Sequence, residues 1–183
     1  MKLADKIASY SSTPRSGAQT KIARILPVFV FFFFFPTLLF LIPHMLLDQW
    51  LNLPEIPNPP LRMAIGGIMI IIGVVFLLMT LKAQREIGKG TPMPLMATQK
   101  LVVQKPYAWT RNPLAFGLLN LYFGISIFMG SVASLLVVLV FTIVILSYIK
   151  FVEEKELAQR YGDSYVSYKE HTPFLIPRPG RQG

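Results

Sequence analysis

The chain has no cysteine. That absence excludes a disulfide framework, a thiolate nucleophile and any metal site built on sulfur. A histidine-held metal is not expected either, because His44 has no second candidate ligand near it and reads as a structural or interfacial residue. Acidic residues are scarce, with 9 Asp and Glu against 18 Lys and Arg, for a formal net charge of +9. Charge of either sign is thin, at 15% of residues, and it comes in blocks separated by long uncharged stretches.

What is abundant is apolar. Hydrophobic residues make up 53% of the chain, and the mean hydropathy is +0.52. At 183 residues the chain has the size of one domain, but this composition belongs to a multi-pass membrane protein rather than a soluble one. In a soluble protein a charge of +9 would suggest a nucleic-acid partner. Here the basic residues flank apolar runs, so the positive-inside rule accounts for them and no nucleic-acid partner is expected.

Four apolar runs are read as helices: 25–47, 61–81, 114–129 and 132–149. The first follows a basic segment, 1–24. It is too long for the apolar core of a signal peptide, and no small-residue cleavage site follows it. Its 23 residues suffice to cross the roughly 30 Å hydrocarbon core. Pro36 and Pro43 lie inside it and should kink it. Gly66, Gly67 and Gly73 give the second run surfaces for close helix packing. Only Gly130 and Ser131 separate the last two runs, which predicts a tight antiparallel hairpin. Five basic residues lie in 1–24, six in 82–111 and six in 150–183, while the proline-rich loop 48–60 has none. That bias puts both termini on the cytoplasmic side. The expected fold is therefore all-α and multi-pass, with four apolar helices and a cytosolic C-terminal amphipathic helix. Its segments divide as a basic tail, 1–24, two N-terminal spans, 25–81, and a core, 82–183.

Dense polar chemistry occurs in two stretches. The first, 99–117, reads QKLVVQKPYAWTRNPLAFG. Asn112 suits a helix N-cap and Pro113 the first helical position, so a helix should start there. Its free N–H groups, with Arg111 directly before them, would attract a carboxylate or phosphate; a capped helix with an interfacial Arg is the plainer alternative. The second stretch, 151–177, carries Leu157, Tyr161, Tyr165 and Tyr168 at spacings that make one face of a single helix. Glu154 falls near the centre of that face and Glu153 at its edge. A carboxylate buried there needs a cation, either a ligand or Arg111. Glu156 and Arg160 are spaced to pair along the solvated side.

Together the two stretches resemble a known family. The matching residues are Lys100-Leu101-Val102, Tyr107, Arg111-Asn112-Pro113, Gly117, then after the hairpin Glu153-Glu154, Tyr161-Gly162, Tyr165, Tyr168 and Pro173. This ordered set is similar to the isoprenylcysteine carboxyl methyltransferases, whose C-terminal core is shared with the phospholipid methyltransferases. It covers about residues 88–178. The resemblance implies a small integral membrane enzyme using S-adenosyl-L-methionine, with a cytosol-facing cofactor pocket and lateral entry for a lipid or lipidated acceptor. By carry-over, Gln99, Lys100, Leu101, Val102, Tyr107, Asn112, Pro113, Leu114 and Ala115 line the cofactor site, and Glu153 meets its charged end. Arg111, Glu153 and Glu154 are the candidate catalytic residues. The chain departs from the pattern at Asn112, where His is commoner, at Ala115, where Tyr is usual, and at Ile149, which with Lys150 stands where the isoprenylcysteine enzymes have Arg. The implied reaction is isoprenylcysteine-type carboxyl O-methylation. Phospholipid amine N-methylation, or a non-enzymatic membrane scaffold of the same fold, is the alternative.

Overall fold

The computed structural model describes residue 30 and residues 34–87 and 101–178. The basic segment 1–24 and the candidate site residues Gln99 and Lys100 lie outside these described residues. Within them the protein is all-helical, with no strand. Its main elements are α1 (Pro59–Glu86), α2 (Pro113–Met129), α3 (Val132–Tyr148), α4 (Glu154–Tyr161) and α5 (Asp163–His171).

Two helical stretches are long and apolar enough to cross a membrane: α1, and the continuous run Val132–Tyr161 that α3 begins. Only 17% and 22% of their most apolar windows are buried inside the protein. Ile68, Ile71 and Leu78 on α1 and Val140, Ile143 and Val144 on α3 are all exposed. A soluble protein buries such rows, because exposing apolar surface to water costs about 25 cal/mol per Å2. Lipid removes that cost, and the chain is a membrane protein. Helix α2, with 17 residues, is apolar but shorter.

The chain divides into two compact units, and α1, α2 and α3 each contribute to both. The first unit contains described residues 34–72 and 119–143. It opens with two wide helical turns, Thr37–Leu41 and Pro43–Leu47, followed by the short turn Asp48–Trp50. Ile42 donates its N–H to the Thr37 carbonyl, and Asp48 donates to Pro43. These are i→i−5 bonds rather than the i→i−4 bonds of an α-helix. Pro36 and Pro43 have no N–H to give, and wide turns of this kind are one way a helix absorbs an interrupted ladder. So the described part of the first apolar run is helical but not the regular α-helix its composition suggests.

Asp48 then ties this segment to the hairpin. Its carboxylate accepts the Ala133 N–H at 2.9 Å, the Ser131 hydroxyl, and the His44 ring at 3.2 Å. It thus serves the N-terminus of α3, where orphan N–H groups and the helix dipole favour a negative charge. The hairpin turn itself sits at Gly130, with φ +77. The Arg62 guanidinium occupies the space beside it: a Cβ on Gly130 would lie 2.0 Å from Nη1. Arg62 in turn donates to Glu55 at 2.9 Å and to the Ile56 carbonyl at 2.8 Å.

The second unit contains described residues 73–87, 101–118 and 144–178. Within each unit α1 and α2 meet over glycine. In the first, a Cβ on Gly66 would lie 2.7 Å from the Gly124 carbonyl oxygen; in the second, a Cβ on Gly117 would lie 3.0 Å from that of Gly73. Gly67 differs, with nothing within 4 Å of its Cβ position. After α3 another wide turn, Ile149–Glu153, leads into α4. The single C-terminal amphipathic helix expected from sequence is two helices. Gly162, at φ 56 and ψ −136, ends α4 and starts α5. That backbone conformation suits glycine and stops the i→i+4 ladder. Leu157 and Tyr161 therefore do not share one continuous helical face with Tyr165 and Tyr168.

Candidate functional site

The chemistry-bearing residues converge in the second unit. The segment before α2 folds as successive turns: Tyr107 donates its N–H to Gln104 at 2.8 Å and Trp109 to Pro106 at 3.0 Å. Lys105 lies over the Trp109 ring at 5.5 Å, and Trp109 faces Phe76 of α1 at 6.2 Å. Helix α2 starts at Pro113, as the Asn-Pro step predicts, and the Asn112 carbonyl accepts the Phe116 N–H at 2.9 Å. Pro113 and Ala115 are buried, and Leu114 is half-buried. Val102 is buried and Leu101 half-buried.

The tail after α5 is stitched onto this segment. Arg111 donates its N–H to Pro173 at 2.9 Å, and Arg178 donates to Trp109 at 3.0 Å. The Phe174 carbonyl accepts both the Asn112 amide, at 2.8 Å, and the Thr110 hydroxyl, at 3.2 Å. The Asn112 amide nitrogen is thus committed to the tail. The Phe174 ring has the Arg111 guanidinium 5.7 Å from its centroid and the Lys150 ammonium at 5.2 Å.

Glu154 is the centre of charge. Its side chain is 3% exposed, and three cations surround it: Arg111 at 3.0 Å, Lys169 at 2.7 Å and Lys150 at 3.5 Å. Arg111 is therefore the cationic partner that an inward carboxylate required. Its Nη1 stands at ion-pair distance from Glu154 Oε1 without hydrogen-bond alignment, and its Nε is also buried without a hydrogen-bond partner. Glu153, one residue earlier, forms no hydrogen bond or ion pair among the described residues. Glu156 pairs with Arg160 along α4, as spaced.

Three tyrosines pack around these groups. Tyr168 donates its hydroxyl to the Tyr107 carbonyl at 2.7 Å, and its ring lies 6.2 Å from that of Tyr165, which is 2% exposed. Burial pushes the Tyr165 phenol up to about 12, with the charge of Glu154 adding and Arg111 opposing. Burial likewise pushes Tyr107 up to about 12, against a hydrogen bond from Gln84, and the charge of Glu153 adds to the rise. Tyr107 and Glu153, nearly fifty residues apart, are thus electrostatic neighbours.

The structure brings Tyr107, Arg111, Glu153 and Glu154 into one unit around α4 and the start of α2. It adds residues that sequence reasoning missed. Gln84 of α1 donates its amide to the Tyr107 hydroxyl; its only sequence signal is a position four residues after Thr80 on the same face. Lys169 and the Phe174 carbonyl carry no local signal.

The donor set suits an amino-acid end. A carboxylate needs hydrogen-bond donors, and Arg111 has two buried nitrogens without one. An ammonium needs an unpaired carboxylate, and Glu153 is one, its carboxyl pushed up from the ordinary 4.5 by burial and by the charges of Glu156 and Glu154 until a cation meets it. Residues 61–164, more than half of the chain, match the family model described as phospholipid methyltransferase. Comparison with curated proteins gave no match.

Proposed function

Because the chain belongs to the phospholipid methyltransferase family, a family of membrane methyltransferases, we propose that it transfers a methyl group from S-adenosylmethionine to a lipid or lipidated acceptor at the membrane surface. The observation that carries this is the pairing of roles at two adjacent carboxylates: Glu154 buried among three cations, Glu153 free of them.

S-adenosylmethionine, when bound, supplies a methyl group already activated on a sulfonium, so the chain must mainly align the partners and exclude water. Arg111 would hold the methionyl carboxylate through Nε, which has no hydrogen-bond partner among the described residues, and Glu153 would hold the ammonium. Leu101, Val102, Tyr107 and the first turn of α2, Asn112 to Ala115, line the remainder. Gln99 and Lys100 belong to the same wall by the family resemblance. Glu154 keeps Arg111 in place through their 3.0 Å contact.

A carboxylate acceptor is favoured over an amine. An amine must lose a proton before it attacks, which calls for a free carboxylate as base. Glu154 is neutralised by Arg111, Lys169 and Lys150, and Glu153 is committed to the cofactor. A carboxylate acceptor is already ionised at neutral pH and needs neither. Isoprenylcysteine-type carboxyl O-methylation therefore leads. Phospholipid amine methylation is the second reading, and the family match favours it. The proposed topology has four spans, the last two as a hairpin, with both termini and the C-terminal helices in the cytoplasm beside the cofactor pool.

Labelled S-adenosylmethionine should bind the detergent-solubilised protein, with loss in Tyr107→Ala and Glu153→Gln. No binding at millimolar ligand would overturn the enzyme reading. Membranes incubated with methyl-labelled cofactor then separate the acceptors: a base-labile ester marks a carboxylate, and base-stable label in a head group marks an amine. A reporter after Gly183 should read as cytoplasmic and one near Asn58 as external.

A further inference from the structure

Helix α1 brings two buried polar side chains to the second unit, Thr80 at 0% exposed and Gln84 at 9%. Thr80 is fully accounted for, because its hydroxyl donates to the Phe76 carbonyl one turn back at 2.7 Å. Gln84 is not. Its Nε2 donates to the Tyr107 hydroxyl, while its Oε1 is buried with no hydrogen-bond partner. A buried amide carbonyl without a donor is costly, and native proteins rarely leave one so unless something else meets it. Holding Tyr107 does not explain the residue either. The backbone there is already fixed, since the Tyr107 carbonyl accepts the Tyr168 hydroxyl at 2.7 Å and its N–H bonds Gln104 at 2.8 Å.

The surroundings say what the spare oxygen is for. Gln84 donates to Tyr107, Tyr107 stands four residues before Arg111, and Arg111 lies 3.0 Å from Glu154, the chain neighbour of Glu153. A neutral acceptor, a phenol oxygen and a free carboxylate are thus gathered near one another, with no cation among the described residues paired to that carboxylate. Burial and the charges of Glu156 and Glu154 push the Glu153 carboxyl up, and acceptors placed near such a group suit a ligand with several N–H donors and one positive charge.

We propose that Gln84 is a cofactor-contacting residue, its side-chain carbonyl accepting a hydrogen bond from the α-ammonium of the methionyl group alongside Glu153. This rests on the proposed use of S-adenosylmethionine. It adds to the site a residue from α1, outside the two polar stretches that carry the family motifs. It also gives α1 a task beyond spanning: its last turns set one contact of the cofactor while its exposed face meets lipid.

The test is equilibrium binding to the solubilised full chain. The ligands are S-adenosylhomocysteine, which has the ammonium, and 5′-methylthioadenosine, which lacks the amino-acid end. Gln84→Leu should weaken S-adenosylhomocysteine by about tenfold, a single charge-assisted hydrogen bond, and leave 5′-methylthioadenosine unchanged. The same loss should persist in a Tyr107→Phe background, which separates direct contact from an effect passed through Tyr107. Gln84→Met, closer in shape, serves if the Leu variant does not fold. An unchanged S-adenosylhomocysteine affinity overturns the proposal, as does an equal loss for both ligands or a loss that vanishes with Tyr107→Phe. If the unmodified protein binds neither ligand, the methyltransferase reading itself fails, which is a different result from Gln84 being silent in a protein that binds.

Discussion

Arg111 and Glu154 stand 3.0 Å apart with side chains 7% and 3% exposed, joining the segment before α2 to the helix after α3. Neither charge could be buried alone, since an isolated ion loses several kcal/mol of hydration. Each exists inside because the other does, and Lys169 shares the load on Glu154 at 2.7 Å. The adjacent carboxylate of Glu153 has no such partners. Glu154→Gln should therefore cost about 3–5 kcal/mol of stability, the usual result of stranding one half of a buried pair. Burial and the charges of Glu156 and Glu154 push the Glu153 carboxyl above its ordinary 4.5, so Glu153→Gln should hold or raise the melting temperature while removing the upward shift that added S-adenosylmethionine gives. Thermal melts of both variants with and without cofactor check this. If Glu153→Gln melts as low as Glu154→Gln, the division of roles is wrong.

The glycines of α1 are not equivalent. A Cβ on Gly66 would come within 2.7 Å of the Gly124 oxygen and the Phe128 nitrogen, both backbone atoms that cannot swing aside. At Gly67 a Cβ meets nothing within 4 Å. Gly67→Ala should thus stabilise by about 1 kcal/mol through helix propensity alone. Gly66→Ala must push α1 and α2 apart and should lower the melting temperature. Gly117→Ala, with its contacts at 3.0 Å, should lie between them. Equal effects at residues 66 and 67 would mean that backbone contact does not set the packing.

These contrasts show what a sequence carries. The apolar helices α1 and α3 were readable because their runs, 61–81 and 132–149, hold 21 and 18 residues with Arg62 the one charge, and such runs admit few structures. The start of α2 was readable because Asn112-Pro113 is a local signal; Glu154 turns inward as expected, but the four-residue face that pointed to it is split between α4 and α5. The break at Gly162 was not, because the tyrosine spacing runs straight across it and one glycine in a polar helix does not prove a stop. The wide turns after Pro36 and Pro43 were foreseen only as kinks. The tail was legible only through Pro173 in the family pattern; its anchors are main-chain groups, the Pro173 and Phe174 carbonyls and the Arg178 N–H, which carry no side-chain signal. Gln84 was hidden for a related reason: its importance lies in a partner twenty-three residues away.

Asp48 gives a prediction at low pH. Burial alone would raise its carboxyl, but hydrogen bonds from Ser131 and the Ala133 N–H, together with His44, outweigh that and hold it below its ordinary 3.8. A folded-state value below the unfolded one contributes stability above the unfolded value, and that stability is lost as pH falls through the folded one. Melting temperature should therefore drop as pH falls below about 4, and Asp48→Asn should drop less steeply. At neutral pH, Asp48→Ala should cost about 1–2 kcal/mol, because it leaves the Ala133 N–H at the start of α3 without its acceptor, while Ser131 still caps the Ser134 N–H. A neutral-pH melt identical to the unmodified protein would show that the Ala133 contact does not hold the hairpin.

At high pH the sign reverses. Tyr107 and Tyr165 are both pushed up to about 12 from an ordinary 10.0, chiefly by burial. Below pH 10 folded and unfolded chains both keep these protons, so neither group makes stability depend on pH. Above it the unfolded chain releases protons that the folded chain retains, and stability falls until the folded groups titrate as well. Each tyrosine contributes a slope of at most about 1.4 kcal/mol per pH unit across that window. Melts taken from pH 9 upward should fall steeply beyond 10, and Tyr107→Phe should remove part of the fall. The raised value also bears on catalysis. A phenol that keeps its proton to about pH 12 is no general base at neutral pH, so Tyr107 acts by shape and hydrogen bonding. Tyr107→Phe should then change the level of the methyl-transfer rate but add or remove no inflection in its pH profile between 6 and 9. An inflection lost in that variant would assign Tyr107 a proton-transfer role that its buried setting argues against.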